Sequence, residues 1–164
     1  MVKIKIYNLT TGIVTDGSDW LNYPIYSLSW SPDSKQVLMD HGFVVDINTK
    51  SLSILFSIPN GQILYPAWSP DGTKVSFSGI NGQWPNIYIH DLTTSQTRLL
   101  YGYPGFQYFS SWSKDGQRII FDQRPASGIN IIANSYICKI NLDGSNFIQI
   151  TDSTEDYNAP CWFK

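Results

Sequence analysis

Two histidines, two cysteines and two methionines among 164 residues leave little raw material for metal or thiol chemistry. His41 and His90 stand 49 residues apart, and neither falls in a His-x-x-x-His or mixed Cys/His spacing that a zinc site needs. Cys138 and Cys161 form no Cys-x-x-Cys pair and read as free thiols, with a disulfide open to them in an oxidising compartment. Charge is scarce as well: Asp, Glu, Lys and Arg make up 15% of the chain, against about 25% in an ordinary globular domain. The net charge is −2, with Lys and Arg scattered singly, so no basic surface for nucleic acid or an anionic membrane is expected. No apolar run approaches the roughly 18 residues of a membrane span. The opening Met1-Val2-Lys3-Ile4-Lys5-Ile6 alternates apolar and charged residues as a strand does and shows no apolar signal-peptide core. Gly-x-Ser-x-Gly elbows and phosphate-cradling glycine loops are missing too. The expectation is therefore a protein with no catalytic residues, no metal and no cofactor.

Aromatic residues are plentiful at 15%, with six Trp and ten Tyr. Flat rings fill the space between β-sheets well, and they recur here at fixed intervals. Four segments align on a tryptophan: Ser29-Trp30-Ser31-Pro32-Asp33, Ala67-Trp68-Ser69-Pro70-Asp71-Gly72, Ser111-Trp112-Ser113-Lys114-Asp115-Gly116 and Cys161-Trp162-Phe163-Lys164. Four more align on an apolar residue at a turn: Leu9, Ile47, Leu92 and Leu142. From that residue to the next tryptophan the distances are 21, 21, 20 and 20; from tryptophan to the following one they are 17, 24 and 30. One half of the unit is constant and the other carries all the variation, which marks an internal repeat.

Each unit reads as four short strands. The first ends at the tryptophan. A Ser-Pro-Asp-Gly turn follows, in which Pro fixes φ, Asp accepts backbone hydrogen bonds and Gly takes a positive φ. Ser34 stands where Gly72 and Gly116 stand, so that hairpin is expected to be strained. A single such sheet cannot bury both faces, and stacked copies supply the core. The fold class is all-β, a β-propeller of four-stranded antiparallel blades at about 24–58, 65–101 and 107–151. The termini, 1–19 and 158–164, are expected to form a partial blade that lacks its second strand. Trp30, Trp68, Trp112 and Trp162 are read as inter-blade packing residues, and Asp33, Asp71 and Asp115 as turn residues.

The pattern Pro-x-Trp-Ser-Pro-Asp-Gly, best seen at Tyr65-Pro66-Ala67-Trp68-Ser69-Pro70-Asp71-Gly72, resembles the repeat of TolB-type (WD40-like) β-propellers. It is similar also to propellers that cap prolyl-oligopeptidase-like peptidases. Lys114 and Phe163 depart from the pattern. The resemblance implies a protein partner, a component of the bacterial cell envelope, and an extracytoplasmic location. Substrate gating for a serine peptidase, or a carbohydrate-binding or lyase propeller, are the alternatives. Counting strands leaves the ring open, so the chain is expected to dimerise through its ends, completing the ring as a homo-oligomer, or to be part of a longer protein.

The variable loop between strands two and three is the expected binding face. It is short at Asp40-His41-Gly42, longer at 79–86 and longest at 123–135. Trp84, between Gly and Pro, is placed to anchor a partner, to stack on a sugar, or to fold back over its own blade. Asp40 and Asp122 occupy one repeat position, where the middle unit has Ser78; with Arg124 they are read as lining the ring's mouth to hold a cation or polar ligand, or as solvated loop charges.

Overall fold

A serine hydroxyl starts each first turn, and the same hydrogen bonds recur three times. Ser31, Ser69 and Ser113 Oγ donate to the carboxylates of Asp33, Asp71 and Asp115 at 2.6, 2.6 and 2.5 Å. The same oxygens accept the N–H of Gln36, Lys74 and Arg118 at 2.9, 2.9 and 3.0 Å. At the tip, Gly72 and Gly116 have φ of +73° and +68°, and Ser34 is forced to +59°. The aspartates are thus turn residues, held below the usual carboxylate range chiefly by the serine hydroxyl.

The computed structural model describes residues 1–18, 21–22, 24–59, 61–127, 130–131 and 133–162. β1 (Lys5–Tyr7) pairs with β2 (Val14–Asp16). Blade one follows as β3 (Leu28–Trp30), β4 (Gln36–Met39), β5 (Phe43–Asp46) and β6 (Leu52–Ile54). Blade two is β7 (Gln62–Trp68), β8 (Lys74–Ile80), β9 (Pro85–Asp91) and β10 (Gln96–Tyr101). Blade three is β11 (Gly105–Trp112), β12 (Arg118–Ser127), β14 (Tyr136–Asn141) and β15 (Ile148–Gln149), with β13 (Asn130–Ile131) added on β12. All ladders are antiparallel, in sequence order within each blade. This is an all-β array of propeller blades, and among the described residues no helix is long and apolar enough to cross a membrane.

Strand alternation sends successive side chains to opposite neighbours. In β4, Val37 and Met39 face Ile4 and Leu21, which flank the amino-terminal strand pair, while Leu38 faces Ile63, Val75 and Phe77 of blade two. In β8, Val75 and Phe77 face blade one, and Ser76 turns to blade three, where its Oγ meets Ser110 Oγ at 2.8 Å. Ile87 and Ile89 then pack with Trp112, Ile119, Phe121, Cys138 and Ile140. The core is three such seams, one between each pair of neighbouring sheets.

On one face the two turns of every blade are clasped. Ile47, Leu92 and Leu142 each donate a backbone N–H to the carbonyl of Lys35, Thr73 and Gln117, at 2.9, 2.9 and 2.8 Å. The clasp closes the base of the hairpin made by each blade's second and third strands, so the length variation between tryptophan and apolar residue is left to the loop at the hairpin's far end.

Two expectations are corrected. The stretch 123–135 is not all loop: β12 runs to Ser127 and pairs with β13 at Ala126↔Ile131, extending the hairpin; positions 128, 129 and 132 lie outside the described residues. The segment 159–162 sits where a first strand belongs but forms no ladder, because no second strand lies beside it among the described residues. It is held sideways instead, Trp162 N donating to Ser111 Oγ at 3.3 Å. Phe163 and Lys164 lie outside the described residues.

Candidate functional site

The first strand of a blade bulges three residues before its tryptophan. Tyr65, Phe109 and Ala159 have φ of +49°, +53° and +50°, and the β7–β8 and β11–β12 registers shift at this point. No glycine marks the bulge in the sequence. At Tyr65 and Ala159 the backbone N–H is held by an aspartate at the start of the variable loop.

Asp40 is 1% exposed. Its carboxylate accepts the N–H of Tyr26 and Ser27 at 2.7 and 3.0 Å and the Ser27 hydroxyl at 2.9 Å, all from its own blade. It also accepts the N–H of Tyr65 at 2.9 Å, from the next blade. Asp122 repeats the arrangement, accepting Tyr108 N at 3.1 Å within its blade and Ala159 N at 3.3 Å beyond it. Burial pushes the Asp122 carboxyl up to about 6, with the Ala159 and Tyr108 N–H groups and Arg124 acting the other way. These carboxylates are buried and bonded to backbone N–H groups, so they are not solvated loop charges. Ser78, their counterpart in blade two, is fully buried and its Oγ has no partner.

Arg124 pairs with Asp156 at 2.7 Å, and the same carboxylate accepts the N–H and hydroxyl of Ser135 at 2.9 and 3.1 Å. Arg124 therefore ties the carboxy-terminal segment to the long hairpin rather than joining Asp40 and Asp122 at a common site.

Trp84 is half-buried and meets Phe106 of blade three edge-on, ring centroids 5.2 Å apart. It reaches the neighbouring blade through this contact. From Phe106 the row continues to Tyr108 at 6.1 Å, then to Tyr65 at 5.5 Å, which lies 4.2 Å from Phe109. All five rings are partly exposed. The row runs from the variable loop of blade two to the first strands, which line a concave cavity of about 820 Å³ with Ser29, Trp68, Ser111 and the exposed Cys161. Burial raises the phenols of Tyr65 and Tyr108, so both stay neutral donors at physiological pH. The row offers flat apolar area with two hydroxyls and no nucleophile–base pair. In the sequence the row is marked only by Phe106 and Tyr108, two residues apart and so on one face of a strand; nothing there marks Tyr65 or Phe109.

The repeat tryptophans do not share one environment. Trp68 and Trp112 sit in the inter-blade seams, with Trp112 Nε1 donating to the Ala67 carbonyl at 3.0 Å. Trp162 is half-buried beneath the Arg118 guanidinium at 5.7 Å. Trp30 is 48% exposed, which corrects its reading as a seam residue. Cys138 is buried in the core with its thiol pushed up to about 12, and both thiols are free.

No family model matches the chain. It is 30% identical over 105 residues to the Tol-Pal system protein TolB of Acinetobacter baylyi, covering 64% of this chain and 23% of that protein. It is 38% identical over 61 residues to the protein of the same name from Alcanivorax borkumensis, covering 37% and 14%. The crystal structure of TolB from Acinetobacter baumannii superposes with a TM-score of 0.75 at 20% identity, over 95% of this chain and 39% of that one. The chain thus spans less than a quarter of the length of these curated relatives.

Proposed function

With a TolB-type β-propeller repeat as its premise, we propose that the chain is a non-enzymatic module that binds a protein partner through its loop face. The observation that carries this reading is the aromatic row from Trp84 to Tyr65 and Phe109. Half-buried rings present rigid contact area with little entropy left to lose, and Trp and Tyr dominate binding energy at interfaces for that reason. Asp40 supports the row from below by fixing the Tyr65 backbone, and the Trp84–Phe106 contact fixes its outer end.

The relatives named for the Tol-Pal system make a component of such a system the partner to test first, in an extracytoplasmic compartment. Titration calorimetry of the chain against purified Tol-Pal proteins measures this directly. Trp84→Ala and Phe106→Ala are each expected to weaken binding by about tenfold or more. Binding unchanged by both would refute the loop face as the contact surface.

A further inference from the structure

Ser78 holds the repeat position that gives Asp40 and Asp122 their bonds to the neighbouring segment. Two residues before it, Ser76 meets Ser110 across the seam between blades two and three, hydroxyl to hydroxyl, at 2.8 Å. Residues two apart on a strand share a face, so Ser78 turns to that same seam. It is fully buried and its Oγ has no hydrogen-bond partner.

Gln107 of β11 reaches the seam from the other side. Its ladder partner Gln123 lies two residues beyond Phe121, which belongs to the seam core, and accepts the Tyr101 hydroxyl of blade two at 3.1 Å. Cross-strand partners share a face of the sheet, so Gln107 faces blade two as Gln123 does. Its Nε2 donates to the Tyr103 carbonyl at 3.1 Å, which fixes the amide and leaves Oε1 as the other end. That oxygen is buried and has no partner either. The registers also set the two residues level. Phe121 lies opposite the bulge that contains Ser110, and Gln107 is one pleat further from the turn, as Ser78 is from Ser76. Two buried polar ends thus face one another across one seam without bonding each other.

Unmade hydrogen bonds on two buried atoms are costly, and one small molecule able to donate and accept satisfies both. Two neutral oxygens are too few for a metal cation, which takes about six, and the Gln107 acceptor oxygen repels an anion. We propose that the seam binds one buried water molecule, which donates to Gln107 Oε1 and bonds Ser78 Oγ. It does between blades two and three what the Asp40 carboxylate does between blades one and two. Phe106 and Tyr108 flank Gln107 on its strand, so this link also steadies the middle of the aromatic row.

The sign of one substitution tests this. Removing a buried hydroxyl that bonds nothing is neutral or stabilising, whereas removing one that anchors a bridging water destabilises. Ser78→Ala is therefore expected to raise the unfolding equilibrium constant of the full chain about fivefold or more, read from urea denaturation. In a Gln107→Leu background the same change is expected to alter it by less than about twofold, because the water has already lost its other anchor. An unchanged or lowered constant in the Gln107 chain overturns the proposal, and so does an equal loss in both backgrounds. A crystal structure of the unsubstituted chain gives a second reading: one peak about 2.7–3.2 Å from both oxygens. Direct contact between the two side chains overturns the proposal. An anomalous signal at that peak after a rubidium or bromide soak overturns it too, by making the occupant an ion.

Discussion

The Asp40 carboxylate accepts the Tyr65 backbone N–H at 2.9 Å across the boundary between two blades, while its remaining bonds stay within its own. One side chain thus locks the entry of two successive first strands, and it holds Tyr65 in a left-handed conformation that an aromatic residue rarely adopts. Removing it leaves three backbone donors unpaired in a partly buried place. Asp40→Ala is expected to cost about 3 kcal/mol or more, read from urea denaturation, and Ser27→Ala only about 1 kcal/mol. Equal losses would mean that the carboxylate acts inside its own blade alone.

Ser78 tests the converse. It stands where the other blades have aspartate, its Oγ lacks a partner, and Phe109 holds the repeat position of Tyr65, whose N–H bonds Asp40. Ser78→Asp is expected to be tolerated within about 1 kcal/mol, whereas Ser76→Asp, two residues away on the same buried face, is expected to cost about 3 kcal/mol or more. Thermal unfolding of the two variants side by side checks this.

Stability should carry a pH signature from Asp122. The carboxyl titrates near 6 when folded against an ordinary 3.8, so the folded chain keeps a proton that the unfolded chain has released. Its contribution is complete below pH 3.8 and is lost as pH rises to about 6, at most about 3 kcal/mol. Asp122→Asn is expected to remove that fall between pH 4 and 7. His90 acts with opposite sign. Burial lowers its imidazole from 6.5, where it stacks on Phe56 at 4.4 Å, so stability drops as pH falls below 6.5. His90→Phe should remove that second slope. Urea midpoints at both ends of the range separate the two.

Ser34 carries a φ of +59° that glycine carries in its two sister turns. Ser34→Gly is expected to stabilise by about 1 kcal/mol. Gly72→Ala is expected to destabilise by a similar amount through its backbone alone, because a Cβ there would meet Pro32 at an ordinary 3.7 Å.

The repeat, its turns and the seam tryptophans of blades two and three were legible because their causes are local. Ser69, Asp71 and Gly72 satisfy one another within a few residues, and alternation in β8 is visible in the letters. The role of Asp40 was not legible, since its decisive partner lies 25 residues away and is a backbone N–H that any residue carries. Trp30 shares its motif with Trp112, but exposure depends on the preceding sheet, which a motif does not encode. Trp84 was singled out by its Gly and Pro neighbours, while its partner Phe106 sits in another blade and carries no mark.

The clasp from Ile47, Leu92 and Leu142 to the opposite turn divides each sheet into a chassis and a crown. Foreign segments inserted at 81–83 would lengthen only the crown, leaving the spacing of neighbouring sheets untouched. The same architecture can thus be refitted for new surfaces at one rim without renegotiating how its parts stack.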